Sequence, residues 1–144
     1  MFERIVAAID SDPERTAKVL DATAELARGR LARVLVAHVR EVERPAPILA
    51  KAGALPPALH VGNETEAAQM VETSVRRLRE SGIEATASTP GVSASAVELL
   101  QLADSEGSNL IIVGDRGSSV SDLLQGGVAH RIVHLANCPV LVVR

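Results

Sequence analysis

The residues best placed to do chemistry lie between positions 110 and 127. An apolar run, Leu110-Ile111-Ile112-Val113, ends in Gly114-Asp115-Arg116-Gly117, and a polar segment from Ser118 to Gln125 leads to Gly126-Gly127. Glycines where a strand ends, and again where a helix starts, let backbone N–H groups come close to a ligand, and the helix start adds positive partial charge. Such a pattern suits a phosphate group. It suits ordinary turns as well, and local spacing leaves both readings open. Arg116 could pair with phosphate oxygens. Asp115 would oppose an anion if it turned inward, so it is expected to point away. A second polar cluster, Asp10-Ser11-Asp12, follows the apolar residues up to Ile9. Here the Asp10 carboxylate could accept from an adenine amino group or a ribose hydroxyl, or serve as a plain turn residue.

Other reactive side chains give less. His130 and His134 stand four apart, which is metal-ligand spacing, but no Glu lies between them and no third ligand is evident, so they read as a solvated helix face. His38 reads as a satisfied core or strand-end histidine, and His60 falls in a proline-rich stretch. Cys138 precedes Pro139 at a strand start and reads as packing rather than as a nucleophile. Arg76, Arg77 and Arg79 read as a solvated face. No general base, metal ligand or other catalytic residue is identifiable, and enzymatic activity stays open.

Composition bounds the partners. The chain has 144 residues, enough for one domain spanning 1–144 with a substantial core. Without Trp or Tyr, and with one Phe, that core must be built from Val, Leu, Ile and Ala. The net charge of -3 argues against nucleic acid, which needs clustered Lys and Arg, and no aromatic platform exists for stacking bases. One cysteine fits a reducing cytosol. Neither a secretory leader nor an apolar run of membrane-spanning length is found, so a cytoplasmic, soluble domain is expected, with no membrane partner.

These residues need elements to position them. Arg4 to Ile9 reads as a buried first strand. Asp12 as N-cap and Pro13 at the first helical position open a helix that Gly29 stops, with Ala17, Leu20, Ala24 and Ala27 at helical spacing. Leu31 to Val39 is the second strand. Pro45, Pro47, Pro56 and Pro57 make Glu41 to Gly62 a long loop. Asn63-Glu64-Thr65-Glu66 resembles a capping box and starts a second helix that ends at Ser81-Gly82. Ile83 to Thr89 is a weaker third strand at the sheet edge. Ser93 or Ser95 caps a third helix with Val97, Leu100 and Ala103 toward the core, closed by Gly107. Leu110 to Val113 is the fourth strand, the last helix turns Val128, Ile132, Leu135 and Ala136 to one side, and Pro139 to Val143 is the fifth strand.

Near-continuous apolar strands alternating with helices predict an α/β fold, a doubly wound five-stranded parallel sheet with helices on both faces. Right-handed crossovers make 3-2-1-4-5 the natural strand order. Ligands bind such sheets outside the carboxyl ends of the strands where the winding reverses, here between strands one and four. Asp10 leaves the first of these and the Gly114 loop leaves the other, so two odd segments fall side by side.

At these residues the chain resembles the universal stress protein family, along essentially its whole length. The likeness lies in Ile-Val-Ala-Ala-Ile-Asp at 5–10, Val-Ala-His-Val at 36–39, Asn-Leu-Ile-Ile-Val-Gly at 109–114, Val-Ala-His-Arg-Ile-Val at 128–133 and Asn-Cys-Pro-Val-Leu-Val-Val at 137–143. The resemblance implies a Rossmann-like stress-response protein that binds ATP or AMP, with Mg only in company of the nucleotide and at most slow ATP hydrolysis. Adenine and ribose would meet Asp10, the backbone of Ala8, Ile9 and Val39, and Val113-Gly114. Phosphates would meet Arg116, Gly117, Gly126, Gly127, Val128 and Ala129. Members with ATP carry Gly, two residues, Gly, nine residues, then Gly and Ser or Thr, with a further hydroxyl two positions on. This chain departs from it: only Ser118 to Gln125 separate Gly117 from Gly126, Gly127 takes the hydroxyl position and Ala129 the later one. Counted the other way, Val128 stands where the hydroxyl belongs. The departure implies weakened binding, about a hundredfold for two lost bonds to charge.

The family commonly forms homodimers, often through the fifth strand, so residues 139–144 are expected to pair with a second copy. The rival reading is an interaction or adapter module that has lost its nucleotide. A phospho-accepting receiver domain would need Asp ending strand three and Lys after strand five, but the third strand ends in Ser88-Thr89-Pro90 and Arg144 is the last residue. A flavodoxin-like carrier would need aromatics.

Overall fold

Four apolar runs and one mixed segment, Glu84-Ala85-Thr86-Ala87, become β1 (Arg4–Ile9), β2 (Arg33–His38), β3 (Glu84–Ala87), β4 (Leu110–Gly114) and β5 (Val140–Val143), all parallel and ordered β3-β2-β1-β4-β5. The structure is a computed structural model that describes residues 1–40, 59–88, 93–115 and 127–144, with side chains of the second helix described from Glu64 onward. Four helices complete it: α1 (Pro13–Ala27), α2 (Leu59–Glu80), α3 (Ala96–Ser105) and α4 (Val128–Leu135). The doubly wound order expected from the sequence is the one found.

The sheet divides the core in two. On one face Ile5, Ala7, Ile9, Val34, Val36 and Ile112 meet Val19 and Leu20 of α1 and Val71, Val75 and Leu78 of α2. On the other, Val6, Ala8, Ala37, Ile111 and Val113 meet Ala96, Leu99 and Ala103 of α3 and Ile132 of α4. Strict alternation along β1 and β4 explains why their runs carry no polar residue: both faces are covered. Each fully buried Ile or Val contributes about 1.5–3 kcal/mol.

Helix ends follow the expected chemistry in part. Asp12 caps α1, accepting from the Glu14 and Arg15 N–H groups at 2.9 and 3.1 Å, with Pro13 in the first turn. Gly29 follows that helix at φ 71°, the left-handed conformation that favours glycine. Ser95, not Ser93, caps α3 by accepting from Glu98 N–H. The second helix departs from expectation. It already begins at Leu59, so Asn63-Glu64-Thr65-Glu66 lies inside it and Leu59 to Gly62 is not loop. A glycine in a helix costs only about 1 kcal/mol, too little to stop this one.

Two helix faces also differ. Ala96, Leu99 and Ala103 form the buried face of α3, while Val97 is 50% exposed. In α4 Ile132 is buried and Leu135 is 57% exposed. Residue 31, expected within strand two, is exposed ahead of β2. Among the described residues no helix is long and apolar enough to cross a membrane.

The two sheet edges are unlike. Ser88 N–H bonds to Val36 on β2, which turns the Ala85 carbonyl outward, where Arg79 Nε donates to it at 2.9 Å. On β5, residues 139 and 143 turn their carbonyls to β4, accepting from Ile111 and Asp115 N–H, so Val140 and Val142 turn their backbone groups outward.

Candidate functional site

The winding reverses between β1 and β4, as the strand order requires. At that point the ends of β1, β2 and β4 meet the first turn of α1. Asp10 leaves β1 with its carboxylate already in use. One oxygen accepts from the Asp12 N–H at 2.8 Å, and the other accepts from Arg15 Nε at 2.8 Å. Arg15 also reaches Asp12 at 3.3 Å. Thr16 hydroxyl donates to the Asp10 carbonyl at 2.8 Å, tying the loop to α1. The Arg15 N–H bonded to Asp12, together with the Arg15 charge, holds the Asp12 carboxyl below its ordinary value.

Gly114 faces this same helix. A Cβ there would lie 3.4 Å from Val19 Cγ2 and 3.5 Å from Arg15 Cβ, ordinary contact distances, so α1 packs closely over the end of β4. Arg15 thus sits between Asp10 and Gly114, across the crevice. Sequence reasoning did not single it out. Its five-residue distance from Asp10, one helical turn past the N-cap, was the available signal.

The remaining expected contacts fall in different settings. Ala8 is buried mid-strand, paired with Ala37 on one side and Val113 on the other. Val113 is likewise buried. The Ile9 carbonyl accepts from Val39 N–H at 2.8 Å, so those two groups satisfy each other. Gly127 precedes α4 with no side-chain hydrogen bond capping the helix, whereas Asp12 and Ser95 cap α1 and α3. Val128 and Ala129, half-buried, form the uncapped first turn. Arg116, Gly117 and Gly126 lie outside the described residues. Asp115, just past β4, pairs with Arg144 at 3.6 Å.

His38, at the end of β2, is buried and bonded on both ring nitrogens: Nδ1 to Ser93 Oγ at 2.6 Å, Nε2 to Ser11 Oγ at 3.2 Å. That is the satisfied strand-end histidine expected. Burial pushes it below its ordinary value of 6.5, and the nearby Asp10 charge partly opposes this. His130 and His134 are exposed, with ring centroids 4.3 Å apart. Cys138 packs against the α3/α4 side of the core, and burial, then Asp104, pushes its thiol up, away from the reactive thiolate.

A groove of about 420 Å³ opens at the other end of the sheet, between Arg4, Arg33, Glu84 and Ser108. It lies at the amino ends of the strands, where open parallel sheets do not gather ligand-binding loops. Its Arg33–Glu84 pair is solvent-exposed. The converging carboxyl ends of β1 and β4 lie at the switch point, not at this groove.

Comparison with known proteins agrees with this fold. A family model described as "Universal stress protein family" matches residues 1–144. A curated relative, universal stress protein YxiE of Bacillus subtilis (strain 168), is 33% identical over a 151-residue alignment that covers all of both chains. Among solved structures, the universal stress protein of Archaeoglobus fulgidus in complex with dAMP aligns with TM-score 0.68 at 23% identity, covering 100% of this chain and 98% of that one. A universal stress protein in complex with cAMP aligns with TM-score 0.70 at 20% identity, covering 99% and 97%. At those identities the structural likeness speaks for the fold.

Proposed function

This chain belongs to the universal stress protein family, and on that premise we propose that it binds an adenine nucleotide, ATP or AMP, weakly, in the crevice between the ends of β1 and β4. The observation that carries the reading is the uncapped start of α4. Gly127 offers no side chain to cap the first-turn N–H groups that follow it. An anion at a helix start satisfies such donors and gains from the helix dipole. The relatives solved with dAMP and cAMP support an adenine nucleotide as that anion's carrier.

Asp10 fits the ribose despite its existing bonds. A carboxylate offers about four lone-pair sites, and Asp12 N–H and Arg15 occupy one on each oxygen. Arg15 adds a cation at the crevice that favours phosphate. Arg116, Gly117 and Gly126 complete the phosphate side of the reading, with Mg bound only alongside nucleotide and at most slow hydrolysis. A cytoplasmic location belongs to the same proposal.

Calorimetry with ATP and AMP tests this. Heat and retention at millimolar ligand support it, and their absence removes it. Mass spectrometry of small molecules released from freshly purified protein would name the nucleotide.

The open β5 edge favours a second reading, a homodimeric adapter without nucleotide. Val140 and Val142 turn their backbone groups outward, without a partner among the described residues, and Leu141 beside them is 38% exposed. A dimer in sedimentation together with no nucleotide heat would select this reading.

A further inference from the structure

We propose that Ser11 is a nucleophilic serine, activated by His38, that takes up an acyl group from a small activated ester. Three separate segments build the arrangement. Ser11 is exposed in the turn after β1, His38 ends β2, and Ser93 belongs to the segment that runs beside β2 through the Val39–Ala94 bridge. Ser11 Oγ lies 3.2 Å from His38 Nε2, and His38 Nδ1 lies 2.6 Å from Ser93 Oγ. His38 is 4% exposed and Ser93 6%. With the ring proton on Nδ1, the imidazole donates to Ser93 and accepts the Ser11 hydroxyl proton at Nε2. An exposed hydroxyl aimed at a fixed, neutral imidazole is the relation a histidine base needs to activate serine. Ser93 is then a positioning residue, which holds the ring plane.

The surrounding charges suit that chemistry. Asp10 and Asp12 flank Ser11 in the chain, and Arg15 pairs with both carboxylates, offsetting one of their two negative charges. Burial keeps His38 in its neutral, proton-accepting form at neutral pH.

The step balances without any further reagent. Ser11 Oγ bonds to the ester carbonyl carbon while its proton passes to His38 Nε2. The carbon–oxygen bond to the leaving alcohol then breaks, and that alcohol takes the proton from His38. The product is acyl-Ser11. Water attacks it by the same route, giving the carboxylic acid and restoring the hydroxyl.

The test incubates the full chain with p-nitrophenyl acetate, without nucleotide, so its outcome is independent of the nucleotide reading. Expected are one acetyl group mapped to Ser11 and a labelling rate that rises with pH to a plateau, its midpoint below 6.5. Ser11→Ala should abolish the label. His38→Gln should slow it by about a hundredfold or more, and Ser93→Ala should keep it on Ser11 with a displaced midpoint. Acetylation only of lysines or the amino terminus would overturn the proposal. So would a Ser11 label that climbs with hydroxide and shows no plateau, a readout that needs no folded His38 variant.

Discussion

Replacing Gly127 by serine probes the phosphate reading directly. The backbone there has φ -54° and ψ 168°, which any residue adopts, and a Cβ built on it meets no atom within 4 Å. The variant should therefore fold unchanged, with α4 stabilised by a few tenths of a kcal/mol through its new N-cap. The hydroxyl can accept from a first-turn N–H and still donate its proton to a phosphate oxygen. A hydrogen bond to a charged group is worth about 1.5–3 kcal/mol, which is about a tenfold to hundredfold gain in affinity. Calorimetry with ATP, AMP and adenosine reads this at fixed salt. ATP and AMP should bind tighter and adenosine should not, because it carries no phosphate. Gly127→Ala, which adds the Cβ alone, should leave all three unchanged. Unchanged ATP affinity in a folded Gly127→Ser, or equal tightening for adenosine, would refute the placement of phosphate at α4.

The α3 face gives a paired stability test: Leu99→Ala should cost about 2–5 kcal/mol in urea unfolding, and Val97→Ala should stay within about 0.5 kcal/mol. The reverse order would mean the helix is rotated from the position described. Acidification should weaken the fold through His38. Its folded value lies below the ordinary 6.5, so the unfolded chain binds the proton first. Stability is complete above 6.5 and falls as pH drops from there toward the folded value, and His38→Gln should lose that slope. Val142→Pro removes an outward N–H from the β5 edge while leaving the ladder to β4 intact, so sedimentation should show a monomer that retains its circular dichroism. A dimer that survives this change does not use that edge.

Strand order and the two-sided core were legible because β1 and β4 are continuous apolar runs, which only a covered parallel sheet explains. Helix rotation was harder to read. Successive residues on a helix differ by about 100°, so taking Val97 rather than Ala96 as the inward residue misplaces the face by nearly a third of a turn. Ala96 and Ala103 carry too little hydrophobic signal to correct it. The start of α2 was missed because an Asn-x-x-Glu pattern reads the same at a helix start and one turn inside it. At the site, Asp10 and the Gly127 helix start were visible as residue types. Arg15 and the Ser11–His38–Ser93 chain were not, because each depends on side chains from segments joined only by the fold.

Arg79 makes the two sheet margins unequal. Its guanidinium occupies the outward carbonyl of Ala85 on β3, while the opposite margin at β5 keeps its donors and acceptors. A sheet with two bare margins can recruit neighbours without end and grow into a fibre. A sheet with one can only face its own copy, and once the two are joined no sticky margin is left. Ala87 still turns its own backbone groups outward, so the guanidinium narrows the β3 margin without closing it, and Arg79→Ala should make that margin more ready to add a strand.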